Sequence, residues 1–149
     1  MQHFECMSTI ENISRLEKDV LTLAEEFGAT DKTSRHVLLV LEEILTNIRL
    51  HAYKKEPGLI EISVSLCDAD IHLLHLEITD WGPPFNPLVD SAAPDLESDI
   101  DDRPVGGLGI HIVRNLTHAL SYVRLDAAHA DALAPLSGGN RLCLSIPLG

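Results

Sequence analysis

The chain has 149 residues, a formal net charge of −12, 45% apolar and 23% charged residues, the proportions of a soluble globular protein. Its length predicts one domain that buries roughly two-thirds of its unfolded surface. So acidic a balance argues against nucleic acid and against an anionic membrane surface as partner, no run is long enough to span a bilayer, and Cys6, Cys67 and Cys143, widely spaced and without a Cys-x-x-Cys, predict neither a disulfide framework nor a zinc knuckle.

The opening Met-Gln-His-Phe-Glu-Cys has no basic stretch leading into an apolar one, so a secretory leader is not expected and a reducing cytoplasm is. Residues 2–6 read as a short strand. Ile10, Ile13, Leu16, Val20, Leu23 and Phe27 step by threes and fours, which predicts a helix from Ile10 to Phe27. Ser8 or Thr9 caps its start and Gly28 stops it. Thr30 and Asp31 open a second helix that runs to Tyr53, with an apolar stripe of Val37, Val40, Leu41, Ile44, Leu45 and Ile48. Lys54 and Lys55 suit the negative end of its dipole, and Pro57-Gly58 marks a turn. Ile60, Ile62, Val64 and Leu66 alternate with Glu61, Ser63 and Ser65, the pattern of a strand with one buried face. After a turn at Asp68-Ala69-Asp70, a strand from Ile71 to Thr79 puts Leu74, Leu76 and Ile78 on one side, so the two form an antiparallel hairpin.

Asp80-Trp81-Gly82-Pro83-Pro84-Phe85 ends that strand abruptly. From Leu88 to Arg103 periodicity is weak and acid is dense, at Asp90, Asp95, Glu97, Asp99, Asp101 and Asp102. Neither helix nor strand is predicted there. A loop this long inside a compact domain is usually functional, and residues 86–105 read as a mobile lid. Gly106-Gly107-Leu108-Gly109 then runs into an apolar-periodic helix from Ile110 to Leu116. Leu120 to Leu125 and Arg141 to Ile146 read as two closing strands joined by a long hairpin connection.

Chemistry concentrates in three places. Glu43, Asn47 and His51 are four apart and stack on one helix face. The carboxamide oxygen of Asn47 is suited to a hard cation such as Mg²⁺, and Glu43, one turn away, can take a proton. A solvated polar face is the plain alternative. Asp80 with Gly82 at a strand end is weak alone, because Asp there is often only a turn former. The glycine run permits close backbone approach, and the helix N-terminus behind it offers free amides to an anion. It matches neither the dinucleotide Gly-x-Gly-x-x-Gly nor the P-loop, and a helix-start turn explains it equally well. His111 and His118 lack a third ligand at metal spacing, His72 and His75 alternate across strand faces, and no Gly-x-Ser-x-Gly elbow occurs.

Taken in order, Glu43-Ile44-Leu45-Thr46-Asn47 with His51-Ala52-Tyr53, then Asp80-Trp81-Gly82-Pro83-Pro84-Phe85, then Arg103-Pro104-Val105-Gly106-Gly107-Leu108-Gly109-Ile110 resemble the boxes of the GHKL superfamily of ATP-binding domains. The likeness is strongest to its RsbW-type anti-sigma-factor serine kinase branch and covers residues 10–147. It implies an α+β fold, a two-layer α/β sandwich of the Bergerat kind, with a mixed, mainly antiparallel sheet and three helices on one face. It implies ATP and Mg²⁺. Asn47 then corresponds to the Mg²⁺ ligand and Asp80 to the acceptor for the adenine amine. Gly82 makes room for the base. Gly106, Gly107, Leu108 and Gly109 bring backbone to the phosphates, Arg103 reaches the terminal phosphate, and Glu43 is the general base. The implied activity is a serine/threonine protein kinase that binds a sigma factor in one state and phosphorylates a small STAS-type anti-anti-sigma protein in the other. Relatives commonly dimerise, so a homodimer is expected. The alternative is a non-catalytic, ATP-gated module that sequesters a regulatory partner. Asn86 departs from the Asp often found there. Trp81 either stacks near adenine or covers the core edge, and His51 either bonds near the phosphates or is structural.

Overall fold

Helix boundaries follow from local chemistry. The Thr9 hydroxyl accepts from the Asn12 amide at 3.2 Å and caps α1, Ile10–Glu26. Gly28, at φ +99°, closes it with paired bonds from Gly28 N to Glu25 O and Ala29 N to Ala24 O, both 3.0 Å. That is the left-handed C-terminal cap for which glycine is favoured. Thr30 and Thr33 form a reciprocal capping box at the start of α2, Asp31–Asn47. The Thr33 hydroxyl also donates to the Leu148 carbonyl at 3.0 Å and ties the last residues of the chain to this helix start.

The computed structural model describes residues 1–54, 56–68, 71–90, 107–126 and 138–149. Beyond α1 and α2 these comprise β1 (Gln2–Met7), β2 (Leu59–Asp68), β3 (His72–Asp80), a short α3 (Pro87–Asp90), α4 (Gly107–Leu116), β4 (Ala119–Leu125) and β5 (Gly139–Pro147). The strands form one sheet in the order β1-β2-β3-β5-β4. All four pairings are antiparallel. The expected mixed sheet is corrected accordingly: β3 and β4 do run the same way, but β5 lies between them and pairs with both.

Register aligns the apolar rows. Ile62, Ile78 and Leu142 face one another across three strands, as do Val64, Leu76 and Leu144, and all six are buried. They meet the stripe of α2, whose Val37, Val40, Leu41, Ile44, Leu45 and Ile48 are all buried. α1 and α4 pack against α2. The alternate residues of the sheet, such as Glu61, Ser63, Glu77 and Arg141, line a polar groove on the opposite face. The structure is thus α+β, two layers, helices on one face. No described helix is long and apolar enough to cross a membrane.

Three expectations about element boundaries change. The second helix does not run on as α to Tyr53; at Ile48–Ala52 it widens into a π turn, closed by Tyr53 N donating to Ile48 O at 3.0 Å. The last helix begins at Gly107 rather than Ile110, so Gly107 and Gly109 lie inside its first turn. Part of the expected lid is helical: Asn86 Oδ1 accepts from Leu88 N at 2.9 Å and starts α3. Residues 91–105 of that lid lie outside the described residues.

Candidate functional site

A cleft open to solvent lies between the C-terminal end of α2, the sheet and the start of α4. Ile44, Asn47, Ile48 and Ala52 line it from the α2 side, Ile78, Asp80, Tyr122, Asn140 and Leu142 from the sheet, Phe85 from the loop after β3, Pro87 from α3 and Ile110 from α4. It is an apolar slot with a few polar groups, the common form of a small-molecule site.

Asp80 sits at its floor, 5% exposed. Its Oδ1 accepts from Gly82 N and from Asn140 Nδ2, both at 2.9 Å. Burial pushes its pKa up from the ordinary value, opposed by those two hydrogen bonds and by the Arg124 charge. Oδ2 has no hydrogen-bond partner among the described residues. Gly82 lies against Ala52: a Cβ there would come within 2.8 Å of both the Ala52 Cβ and its carbonyl oxygen. A side chain at 82 would therefore push the loop off the π turn. Tyr53 anchors the same loop from below. Its hydroxyl accepts from Trp81 N at 2.6 Å and donates to Leu59 O at 2.7 Å. Burial, the largest cause, pushes the phenol pKa up to about 12.

Asn47 closes α2 at the rim of the cleft, and its carboxamide has no hydrogen-bond partner among the described residues. One turn earlier, Glu43 reaches across to the first turn of α4. A Cβ on Gly109 would overlap the Glu43 carboxylate. Burial, followed by repulsion from Glu42, raises the Glu43 pKa, which moves a carboxylate toward the range useful for taking a proton near neutral pH. The described residues contain no cluster of three or more His, Cys, Asp or Glu able to cage a metal ion. The Asn47 carboxamide oxygen, on the rim of the cleft, is of the donor type that a hard cation such as Mg²⁺ takes.

The three separate sequence signals thus converge on one cleft. Asn47 and Asp80 line it, Gly82 packs against its lining residue Ala52, and Glu43 meets Gly109 next to the lining residues Ile44 and Ile110; the Gly107-Leu108 backbone lies in the same first turn of α4. Arg103 and Gly106 lie outside the described residues. His51 lies in the π turn, where its ring stacks on Phe85, a lining residue of the cleft, at 5.1 Å between centroids and 19° between planes. Trp81 is buried against Gly139 and does not line the cleft, so it covers the core edge.

Sequence reasoning passed over Asn140, Tyr122 and Arg124. Register brings them to the cleft, with Asp80 opposite Asn140 and Asn140 opposite Arg124. A polar Asn at the start of an otherwise alternating Leu142-Leu144-Ile146 strand was the available signal.

A family model described as histidine kinase-like ATPase domain matches residues 6–143. The chain belongs to this family. Like other histidine kinase-like ATPase domains it is an ATP-binding module. The serine/threonine-protein kinase BtrW of Bordetella bronchiseptica is 30% identical over 113 residues, 72% of this chain and 77% of that one. Among solved structures, the mycobacterial sensor histidine kinase MprB is similar at TM-score 0.47 and 18% identity over 97% of each chain. The histidine kinase domain of the Erythrobacter litoralis EL346 blue-light activated histidine kinase is similar at TM-score 0.43 and 15% identity, over 91% of this chain and 59% of that one.

Proposed function

We propose that this ATPase-family domain is a serine/threonine protein kinase that transfers the γ-phosphoryl of ATP to a serine of a small STAS-type partner protein and, in its other state, holds a sigma factor or a comparable regulator. The observation that carries the kinase reading is the position of Glu43: a half-buried carboxylate of raised pKa, one turn from Asn47 and pressed against the first turn of α4. The name of the 30%-identical relative, a serine/threonine-protein kinase, supports the same reading.

In this proposal Asp80 accepts a hydrogen bond from the adenine amine through Oδ2, and Gly82 allows the base to lie close. Asn47 would hold Mg²⁺ at the rim of the cleft. The ion would supply charge neutralisation for the transferring phosphoryl group. The amides at the start of α4, with Gly107 and Gly109, meet phosphate oxygens at a positive helix end. The family resemblance adds Arg103, Gly106 and Leu108 as candidates for the same phosphate role. Glu43 takes the serine hydroxyl proton as the new O–P bond forms and the bond to ADP breaks, so proton, phosphoryl group and leaving group are all accounted for. A homodimer in the cytoplasm is the expected working state.

The test is intact mass spectrometry of a STAS-type partner incubated with the protein and Mg-ATP. A single phosphoryl increment with wild type and none with Glu43→Gln, at unchanged ATP affinity, supports the kinase. ATP-dependent partner binding without any mass increment refutes phosphotransfer and makes the protein a nucleotide-gated sequestration module.

A further inference from the structure

Asn140 is 4% exposed and uses every hydrogen-bonding group it has. Nδ2 donates to Asp80 Oδ1 and to Pro83 O, both at 2.9 Å. Oδ1 accepts from Phe85 N at 3.1 Å, from Arg124 Nη1 at 3.3 Å, and from the Tyr122 hydroxyl. The surroundings fix which end of the amide is which. Phe85 N–H and Arg124 only donate, whereas ionised Asp80 and the Pro83 carbonyl only accept. A flipped amide would face donors with donors and acceptors with acceptors. Arg124 Nη1 adds a bond to Gly82 O at 2.8 Å, so the backbone of the 80–85 loop is held at Gly82, Pro83 and Phe85 by two side chains of neighbouring strands.

This has a consequence for Asp80. A carboxylate can turn about its last torsion and offer either edge. With Gly82 N and Asn140 Nδ2 both on Oδ1, that rotation is stopped and Oδ2 remains for the cleft. We propose that Asn140 is a specificity-determining positioning residue: through its amide it presents one oxygen of Asp80 to the base, so the preference for a nucleobase carrying an exocyclic amine depends on a residue that need not touch the nucleotide. The inference rests on the reading of the cleft as an adenine site, and its test separates the two.

The test measures binding of Mg-ATP and of the triphosphate of purine riboside, which lacks the exocyclic amine, to the full chain by calorimetry. Asn140→Leu removes the amide at similar volume. It is expected to weaken ATP about tenfold or more, the loss of a hydrogen bond made with a charged group, while purine riboside triphosphate changes less than about twofold. Asn140→Asp keeps the shape and supplies a second readout. Ionised, its oxygen repels Asp80; protonated, it donates as the amide did. Asp80, Arg124, Tyr122 and, beyond Asp80, Tyr53 are the titratable or charged groups around it. Arg124 favours the ionised form and Asp80 opposes it. ATP binding by this variant, taken relative to wild type at the same pH, is expected to recover as pH falls from 7.5 to 6, by up to about tenfold per pH unit for one proton taken up. Both variants are checked for a wild-type circular dichroism spectrum; if Asn140→Leu does not fold, the pH profile of Asn140→Asp decides. If Asp80→Asn loses ATP selectivity but both Asn140 variants keep the wild-type ratio, or Asn140→Asp binds alike at each pH, the inference is overturned and the cleft reading survives. If Asp80→Asn also leaves ATP binding unchanged, the adenine reading fails and this inference with it.

Discussion

Gly109→Ala separates catalysis from binding. The added Cβ would overlap the Glu43 carboxylate and lie 2.8 Å from its carboxyl carbon. Ordinary carbon–carbon contact is about 3.5–4.0 Å, so that carbon must retreat by about 0.7–1.2 Å. The obstacle is the far end of a flexible side chain, which moves cheaply. Against this, Gly109 lies within α4, and alanine is better than glycine in a helix by about 0.8–1.0 kcal/mol. The two effects leave stability unchanged or slightly higher. Phosphotransfer behaves differently, because a misplacement of about 1 Å at a reacting group can cost about 100-fold. The assay pairs calorimetric ATP binding and thermal unfolding with single-turnover phosphoryl transfer to the partner. The expected outcome is a transfer rate down about 100-fold, ATP affinity within about threefold, and no additional loss when Glu43→Gln is combined with Gly109→Ala, since both act on one group. Full transfer activity in Gly109→Ala would refute the assignment of Glu43 to the chemistry, whereas an ATP affinity that falls as far as the rate would trace the loss to the phosphate contact of Gly109 instead.

Asp80→Asn is expected to weaken ATP by about 1–3 kcal/mol, the scale of a hydrogen bond to a charged group. Its effect on folding has the opposite sign. The folded pKa of Asp80 is raised, so the ionised carboxylate opposes folding at neutral pH, and that opposition fades as pH falls through the folded pKa toward the unfolded one. Thermal unfolding at pH 7.5 should therefore show Asp80→Asn at least as stable as wild type; a clear loss of stability would mean that the carboxylate is a structural partner. Protonation of Asp80 should also make wild-type ATP binding fade on acidification before an ordinary carboxylate titrates, which calorimetry between pH 7.5 and 4.5 can follow. Asn47→Ala should bind ATP equally with and without Mg²⁺, and unchanged Mg-ATP affinity would remove Asn47 from the metal. Tyr53→Phe leaves Trp81 N and Leu59 O without their partner and should lower the urea unfolding stability by about 1–3 kcal/mol; no shift in midpoint would show that water replaces the hydroxyl.

Much of this molecule is legible along the chain because its causes are local. The stripe from Val37 to Ile48 names its buried face through the helical period alone. Gly28 announces a left-handed stop, and alternation in β2, β3 and β5 assigns their inner faces. The candidate site was legible where its residues sit in compact runs, as in Glu43 to Asn47 and Asp80 to Gly82. These depend on neighbours within one turn or one loop.

Other features depend on what lies across the sheet or against a helix. Periodicity could not foresee the π turn at Ile48–Ala52, because it lies where Ala52 packs against Gly82, a residue thirty positions away in the chain. It put α4's start three residues late, since glycine has poor intrinsic helix propensity, yet Gly109 is helical where the Glu43 carboxylate leaves no room for a side chain. The expectation of a mixed sheet failed because strand order is set by packing between distant segments, with the last strand inserted between β3 and β4. Asn140 is the sharpest case. Sixty residues after Asp80, it is marked in sequence only as a polar residue opening an alternating strand, and register alone brings its amide to the carboxylate. Short-range periodicity and turn chemistry therefore specify the elements and the motif residues of this protein. Long-range strand pairing specifies which side chains orient them, because a hydrogen bond at 2.9 Å exists only once both strands are in place.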